Sequence, residues 1–335
     1  MNVFVTGGAG YIGSHVVRLL MEAGHRVRVF DNLSAGHVAA VPPEVLVRGD
    51  LAEDARLADA LAGGFDCVMH FAAFTSVPES VADPQKYYHN NLIGSLRLLA
   101  AMRRAGVGRI VFSSTAAAYG MPRQVPIPED HPTEPINPYG RAKLDFEHAL
   151  AAYAAAYGLG YAALRYFNAA GAAPDGCIGE DHEPETHLVP IVLQAALGRR
   201  EAVSIYGTDY PTRDGTCIRD YIHVYDLAEA HILAMEAVRP GTGLTYNLGN
   251  GAGYTVREVI ETARRVTGRA IPVKEAGRRP GDAPELVASS EKIIRELGWK
   301  PRYPDLPVIV EHAWRWHQSH PNGYGDKPAG ARRTP

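Results

Sequence analysis

The stretch Val3-Phe4-Val5-Thr6-Gly7-Gly8-Ala9-Gly10-Tyr11-Ile12-Gly13 decides the reading of this chain. A short β-branched and aromatic run of strand length meets a glycine cluster. Beyond it Ile12, Val16, Leu19, Leu20 and Ala23 recur at helical spacing until Gly24, a C-terminal stop. Gly8, Gly10 and Gly13 form a G-x-G-x-x-G, and Gly7 adds a G-x-x-G-x-x-G. Glycines at that spacing are a weak signal alone; their place between strand and helix is what gives them weight. Glycine lets the backbone approach a pyrophosphate, whose charge then sits over the free N–H groups of a helix N-terminus. Asp31, 18 residues after Gly13, ends the next strand, Val27–Phe30. An acid there accepts hydrogen bonds from a ribose diol and repels a 2′-phosphate. With no Arg at Asn32 or Leu33, the pattern selects NAD over NADP.

Outward from this unit the same alternation continues. Val45–Val47, Cys67–Met69, Arg109–Phe112 and Ala162–Arg165 read as strands, with Leu51–Leu61, Asn90–Arg104 and Tyr139–Tyr157 as the helices between them. Strands separated by helices of this length predict right-handed βαβ units and an α/β, doubly wound parallel (Rossmann) sheet. After Asn168 turn residues accumulate, and the elements are fewer. Helices are predicted at Val189–Leu197, Tyr225–Val238, Val256–Val266, Glu291–Leu297 and Val308–His317, with a strand at Thr245–Leu248. The expected division is an NAD-binding domain over 1–167 with a return segment at about 216–249. A smaller, partly interleaved α/β substrate domain takes 168–215 and 250–325, and 326–335 is a loose tail within a Gly- and Pro-rich end that begins at Pro321.

The 335 residues, 46% hydrophobic and 21% charged with a formal charge of −3, fit a globular protein with a sizeable core. That balance argues against a dedicated nucleic-acid or membrane-surface binder. Cys67, Cys177 and Cys217 are scattered, which suits a reducing compartment rather than a disulfide framework. With no secretory pattern and no long apolar run, a cytoplasmic location is expected.

Ser113-Ser114-Thr115 follows the strand Ile110–Phe112, at the carboxyl edge where open α/β sheets place ligands. Tyr139 and Lys143 stand at i and i+4, so one helical face carries both. Oxidising a carbinol with NAD requires loss of the hydroxyl proton as the carbonyl forms. A free phenol titrates near 10, and a base working near pH 7 needs that lowered by about three units, or roughly 4 kcal/mol. The expectation is that the Lys143 ammonium and a cationic nicotinamide lower it together, with Thr115 hydrogen-bonded to the reacting oxygen. Gly49-Asp50-Leu51 follows the third strand, where Asp50 reads an adenine edge, caps a helix, or does both.

These motifs, with HFAA at 70–73, YYHNN at 87–91, FSSTAAAYG at 112–120, NPYGRAK at 137–143 and LRYFNAAGA at 164–172, carry a resemblance. THLVP at 186–190, the long block at 205–228, YNLGNG at 246–251 and RRPGD at 278–282 add to it. The chain resembles the extended short-chain dehydrogenase/reductase family and, within it, the UDP-hexose 4-epimerases, over nearly its whole length. The block from Ile205 is the most specific part, because generic dehydrogenases have nothing like it. The resemblance implies NAD contacts from Gly7, Gly10, Tyr11, Ile12, Gly13, Asp31, Asn32, Asp50, Leu51, Phe71, Ala72, Ala73, Asn90, Ser113, Tyr139, Lys143 and Phe167. It implies UDP-sugar contacts from Thr115, Asn168, His187, Leu188, Ser204, Tyr206, Arg219, Arg279 and Asp282, with Leu286 as a size gate for the sugar 2-substituent. Arg219 and Arg279 suit a diphosphate, Asp282 ribose hydroxyls, and Tyr206 a uracil ring. A homodimer is the family's pattern. Thr75 departs from relatives that carry a cofactor-contacting Lys there. Ala116 and Ala117 after Thr115 lack the acid pair of a sugar-nucleotide dehydratase.

No metal is expected. Glu180, Asp181, His182, Glu183, Glu185 and His187 crowd into eight positions, but in a Gly/Pro-rich stretch that reads as a solvated loop. Asp220, His223 and Asp226 mimic a triad without an activated Ser, so capping and strand-edge packing are expected of them.

Overall fold

The computed structural model describes residues 1–279 and 281–326. Its first half alternates strands β1 (Asn2–Thr6), β2 (Arg26–Asp31), β3 (Leu46–Arg48), β4 (Cys67–His70), β5 (Arg109–Ser113) and β6 (Gly160–Tyr166) with six helices. These are α1 (Tyr11–Glu22), α2 (Asp54–Leu61), α3 (Val77–Ala82), α4 (Pro84–Tyr87), α5 (Gly94–Ala105) and α6 (Pro138–Tyr157). The second half adds strands β7 (Asn168–Ala170), β8 (Val203–Tyr206), β9 (Ile218–Arg219), β10 (Tyr221–His223), β11 (Gly243–Leu248), β12 (Tyr254–Thr255), β13 (Val273–Ala276), β14 (Glu285–Leu286) and β15 (Pro321–Tyr324). Its helices are α7 (Leu188–Ala196), α8 (Val224–Ala237), α9 (Val256–Thr267), α10 (Glu291–Leu297) and α11 (Leu306–Ser319).

Seven strands form one parallel sheet in the order β11-β6-β5-β4-β1-β2-β3. This is the doubly wound arrangement expected, and the strand order reverses beside β1. Strand alternation builds a core on each face. Val3 and Val5 point to α1 and α8, against Val16, Leu20, Leu227 and Met235. Phe4 points the other way, to Leu57, Leu98, Met102 and Phe146 of α2, α5 and α6. The smaller sheets are β10-β7, β12-β9-β14 and β13-β8. Beside them α7, α9 and α11 share a third core built on Leu193, Ile205, Ile260 and Ile309.

Helix ends follow local chemistry. Asn137 accepts from the Gly140 N–H and Pro138 opens α6, while Gly158, in the left-handed region, closes it. Thr255 and Glu258 form a reciprocal capping box on α9. Most boundaries shift by one or two residues from expectation, and three differences bear on the first half of the chain. β3 is displaced by one residue, and α2 starts at Asp54 rather than Leu51. The helix expected from Asn90 begins as a π-helical turn, Tyr88–Ile93, before continuing as α5.

The chain end from Pro321 to Asp326 is not loose. Tyr324 stacks on His37 and packs on Trp316, each with ring centroids 4.7 Å apart, and its N–H donates to Asp181 at 2.9 Å. The Asp326 carboxylate lies 2.7 Å from Nδ1 of His37. An aromatic anchor and a charged partner offset the chain entropy that Gly and Pro alone would have left. Residues 327–335 of the expected tail lie outside the described residues, as does Pro280.

Among the fully buried histidines, burial holds His15 and His231 down to about 4 and His70 to about 3. An unfolded histidine titrates near 6.5, so below that pH the unfolded chain binds more protons at these positions. Their stabilising contribution is complete above pH ~6.5 and is lost as pH falls towards ~4, at about 1.4 kcal/mol per pH unit for each. Urea midpoints measured between about pH 7 and about pH 5 should therefore fall steeply; a flat profile contradicts this.

Candidate functional site

Gly7, at φ +69°, sits so close to the segment that follows β4 that a Cβ would come within 2.4 Å of the Ala72 nitrogen. Gly13 lies equally tight on Gly7, where a Cβ would be 2.3 Å from its carbonyl oxygen. Gly10 differs: a Cβ there would meet only the Gly7 oxygen, at 3.4 Å. It is the N-cap of α1 and has no side-chain cap, so the first N–H groups of the helix are left for a ligand. Two glycines thus close the turn, and the third leaves a cradle. Tyr11 is buried and donates to the Gly171 carbonyl at 2.7 Å, tying α1 to the segment after β7; Ile12 packs on the core beside it.

Asp31 accepts the Ala9 N–H at 2.9 Å and the Leu33 N–H at 2.8 Å, which fixes its carboxylate beside the glycine turn. Asn32 donates to Asp50 at 2.7 Å, and the two line a surface depression with Arg48, Gly49, Glu53 and Arg56. Asp50 also accepts from the Ala52 N–H, but the N-cap of α2 is Glu53, so Asp50 does not cap that helix. Leu51 is buried in the α2/α5 core. Phe71, Ala72 and Ala73 follow β4 and pass the glycine turn, with the Phe71 ring 4.9 Å from that of His231. Asn90 donates to Asn91, whose amide clamps both the N–H and the carbonyl of Phe74. Thr75, in the same loop, is exposed.

At the end of β5, Ser113 bonds Tyr166 at 2.7 Å, and its carbonyl accepts the Lys143 ammonium at 2.8 Å. Tyr139 is 6% exposed and its hydroxyl is hydrogen-bonded to Thr115. Tyr139, Lys143 and Thr115 are therefore brought together. Their electrostatics differ from expectation. Burial pushes the Tyr139 phenol up, and the Thr115 hydrogen bond lowers it only in part. Lys143 is itself held down to about 7 by burial, against a smaller opposing pull from Glu147. The lysine head is drawn back to Ser113 and lies 4.8 Å from the Phe112 ring centre. The protein alone does not acidify the tyrosine; desolvation outweighs the pairing that i, i+4 spacing suggests.

The residues expected to hold a sugar nucleotide gather on the small sheets. Arg219 on β9 ties one guanidinium nitrogen to the carbonyls of Ile218 and Ala283, and the other approaches Asp282 at 3.4 Å. Leu286 on β14 is in register with Arg219 and packs in the cluster of Phe167, Tyr119 and Ile127. Arg279 stacks on Tyr206 at 3.7 Å and holds its phenol below the ordinary value, and Ser204 lies two residues away on β8. Asn168 donates to the Asp220 carbonyl at 2.9 Å. His187 is the N-cap residue of α7, and Leu188 is its first residue.

The 180–187 stretch is not the solvated loop expected. The Glu180 and Glu185 side chains are 4% and 3% exposed, and they converge on His182 and His187. Tertiary packing brings this about: Trp316 of α11 donates to the Glu180 carbonyl at 3.1 Å. Asp220, His223 and Asp226 behave as expected of capping and packing groups. Asp220 accepts the N–H groups of Asn250, Gly251 and Ala288, His223 caps α8, and Asp226 accepts those of Arg302 and Tyr303.

Sequence reasoning missed a buried network below the tyrosine and lysine. Glu147 receives Arg165 at 2.6 and 3.0 Å and accepts from Ser114, while Arg165 also donates to Tyr119, whose hydroxyl donates in turn to Asn247. The one available signal was that Glu147 extends the face of Tyr139 and Lys143 by another turn.

No helix among the described residues is long and apolar enough to cross a membrane. The sequence profile of the NAD dependent epimerase/dehydratase family matches residues 3–249. The UDP-glucose 4-epimerase of Halalkalibacterium halodurans is 56% identical over 327 residues, covering 97% of this chain and 98% of the relative. The crystal structure of UDP-glucose 4-epimerase from Brucella ovis in complex with NAD superposes with a TM-score of 0.90 at 50% identity, covering 93% of this chain and 97% of that one. The structure from Bifidobacterium longum in complex with NAD+ and UDP gives 0.92 at 38% identity, covering 96% and 100%.

Proposed function

The chain belongs to the NAD dependent epimerase/dehydratase family, and from that membership we propose that it interconverts UDP-glucose and UDP-galactose as an NAD-dependent isomerase. The observation that carries this reading is the convergence of Tyr139 and Thr115 at the carboxyl end of β5, one helical turn from Lys143. NAD fits the glycine cradle at Gly7, Gly10 and Gly13 with Asp31 beside it; when bound, it supplies the oxidant that takes hydrogen from C4 of the sugar and gives it back.

In this reading Tyr139 removes the proton of the C4 hydroxyl and Thr115 hydrogen-bonds the same oxygen. Lys143 orients the nicotinamide ribose. Arg219 and Arg279 hold the diphosphate while the 4-keto sugar turns about that tether to present the other face of C4, and Tyr139 returns its proton to the C4 oxygen. Leu286 limits the room beside the sugar 2-substituent, which favours the unacetylated pair. Residues 1–167 with 216–249 serve the cofactor and 168–215 with 250–325 the sugar nucleotide; the entry of β11 into the large sheet supports this division. The enzyme acts as a homodimer in the cytoplasm, as the expected family pattern and the scattered free cysteines suggest.

The test is nuclear magnetic resonance of a UDP-sugar panel incubated with enzyme alone. Interconversion of UDP-galactose and UDP-glucose without added NAD, faster than that of the N-acetylated pair, is expected. Turnover of another UDP-sugar pair alone would reassign the substrate. Bound cofactor with no turnover of any would leave a non-catalytic NAD-sensing module.

A further inference from the structure

We propose that Glu180, His182, Glu185 and His187 form a binding site for one zinc ion, joining the loop before α7 to the start of that helix. One donor atom from each residue can be chosen so that all four lie within 4.8 Å of one another. The His182 Nδ1 is 3.3 Å from Glu180 and 3.7 Å from Glu185, and the His187 Nδ1 is 4.0 Å from Glu185 and in contact with Glu180. Ligands at zinc's usual bond lengths of about 2.0–2.2 Å in a tetrahedron stand about 3.4 Å apart, so the cluster is near that size. Two imidazoles and two carboxylates form a ligand set that suits zinc.

Charge points the same way. Both carboxylates are buried, and among the described residues neither has a Lys or Arg within ion-pair distance. Two buried negative charges need a compensating cation. Either both histidines carry a proton, or a divalent ion sits between neutral ones. The surroundings are built to hold the donors still. Glu185 accepts the N–H groups of Thr186 and His187 at 2.7 and 2.8 Å, and Trp316 fixes the Glu180 backbone. The His182 ring lies edge-on to Tyr11, 6.2 Å between centroids, so the site also leans on the first turn of α1. A metal on Nδ1 of His187 leaves its Nε2 as a hydrogen-bond donor; that this donor meets the sugar nucleotide rests on the function proposed above.

The experiment measures zinc by mass spectrometry in the full-length protein, produced with zinc and dialysed against metal-free buffer. About one zinc per chain is expected. Cobalt introduced in its place should give the strong visible absorption of a four-coordinate site. Glu185→Gln, which keeps the side-chain shape, and His182→Ala should each lower the zinc content at least tenfold. Circular dichroism identifies a variant that has failed to fold, and in that case the other variant carries the comparison. Wild-type protein holding less than about a tenth of an equivalent, or folded variants holding as much as wild type, overturns the proposal and leaves a protonated ion-pair cluster. Zinc content is read independently of turnover, so its failure does not bear on the epimerase reading.

Discussion

Tyr139→Phe should lower kcat for UDP-galactose by about 10²- to 10⁴-fold while the protein stays folded and keeps its cofactor. The substitution removes one oxygen from a ring that is 6% exposed and packs edge-on to Tyr87 at 6.4 Å, so packing is retained. It deletes the Thr115 hydrogen bond and, with it, the proposed route for the C4 proton. The pH profile distinguishes this role from a structural one. Burial raises the phenol, so wild-type activity should climb with pH as the phenolate is populated, and the Phe variant should lose that limb. In the proposed reaction a bound nicotinamide cation would supply the positive charge that lowers the phenol, because the Lys143 ammonium, itself held down to about 7, is turned to Ser113. Equal turnover by the variant would remove Tyr139 as the base.

The second large effect is on stability. Glu147→Gln should destabilise the chain by about 3–5 kcal/mol, because it leaves Arg165 buried and charged without its partner. Against a typical folding free energy of about 5–15 kcal/mol, that is a substantial fraction. Both side chains are at most 8% exposed. An arginine guanidinium keeps its proton even when buried, so Arg165 cannot escape the loss of Glu147 by becoming neutral. Urea midpoints measure the loss. Replacing both partners, Glu147→Met with Arg165→Met, should restore most of it, since an apolar pair of similar volume leaves no orphaned charge. A double variant as unstable as the single one would show that the ion pair is not the cause. The same network holds Ser114, between Ser113 and Thr115, so a displaced end of β5 should accompany the stability loss.

How much was legible in the sequence follows from the range of the forces involved. The Rossmann sheet was legible because period-2 strands, 3.6-period helices and their glycine stops are local. Val3, Phe4 and Val5 announce their two faces within three residues, and Gly13 is constrained by its close approach to Gly7, six residues before it. The Tyr139–Lys143 spacing likewise fixed a shared face. It could not fix the electrostatics, because desolvation depends on everything that packs around the ring.

The sequence by itself therefore determined the sheet order's βαβ logic, the glycine turn between β1 and α1, and which side chains share the Tyr139–Lys143 face of α6. Only the tertiary structure decided that Glu180 and Glu185 are buried against two histidines, that Glu147 meets Arg165, and that Tyr324 anchors the chain end on His37. Except for Glu180 and Glu185, which adjoin their histidines in sequence, these contacts join residues 18 to 287 positions apart. In each case burial was set by a neighbouring element, such as α11 under Glu180 or β6 beside α6. Periodicity records the face a residue occupies on its own helix or strand, whereas charge compensation depends on what that face meets.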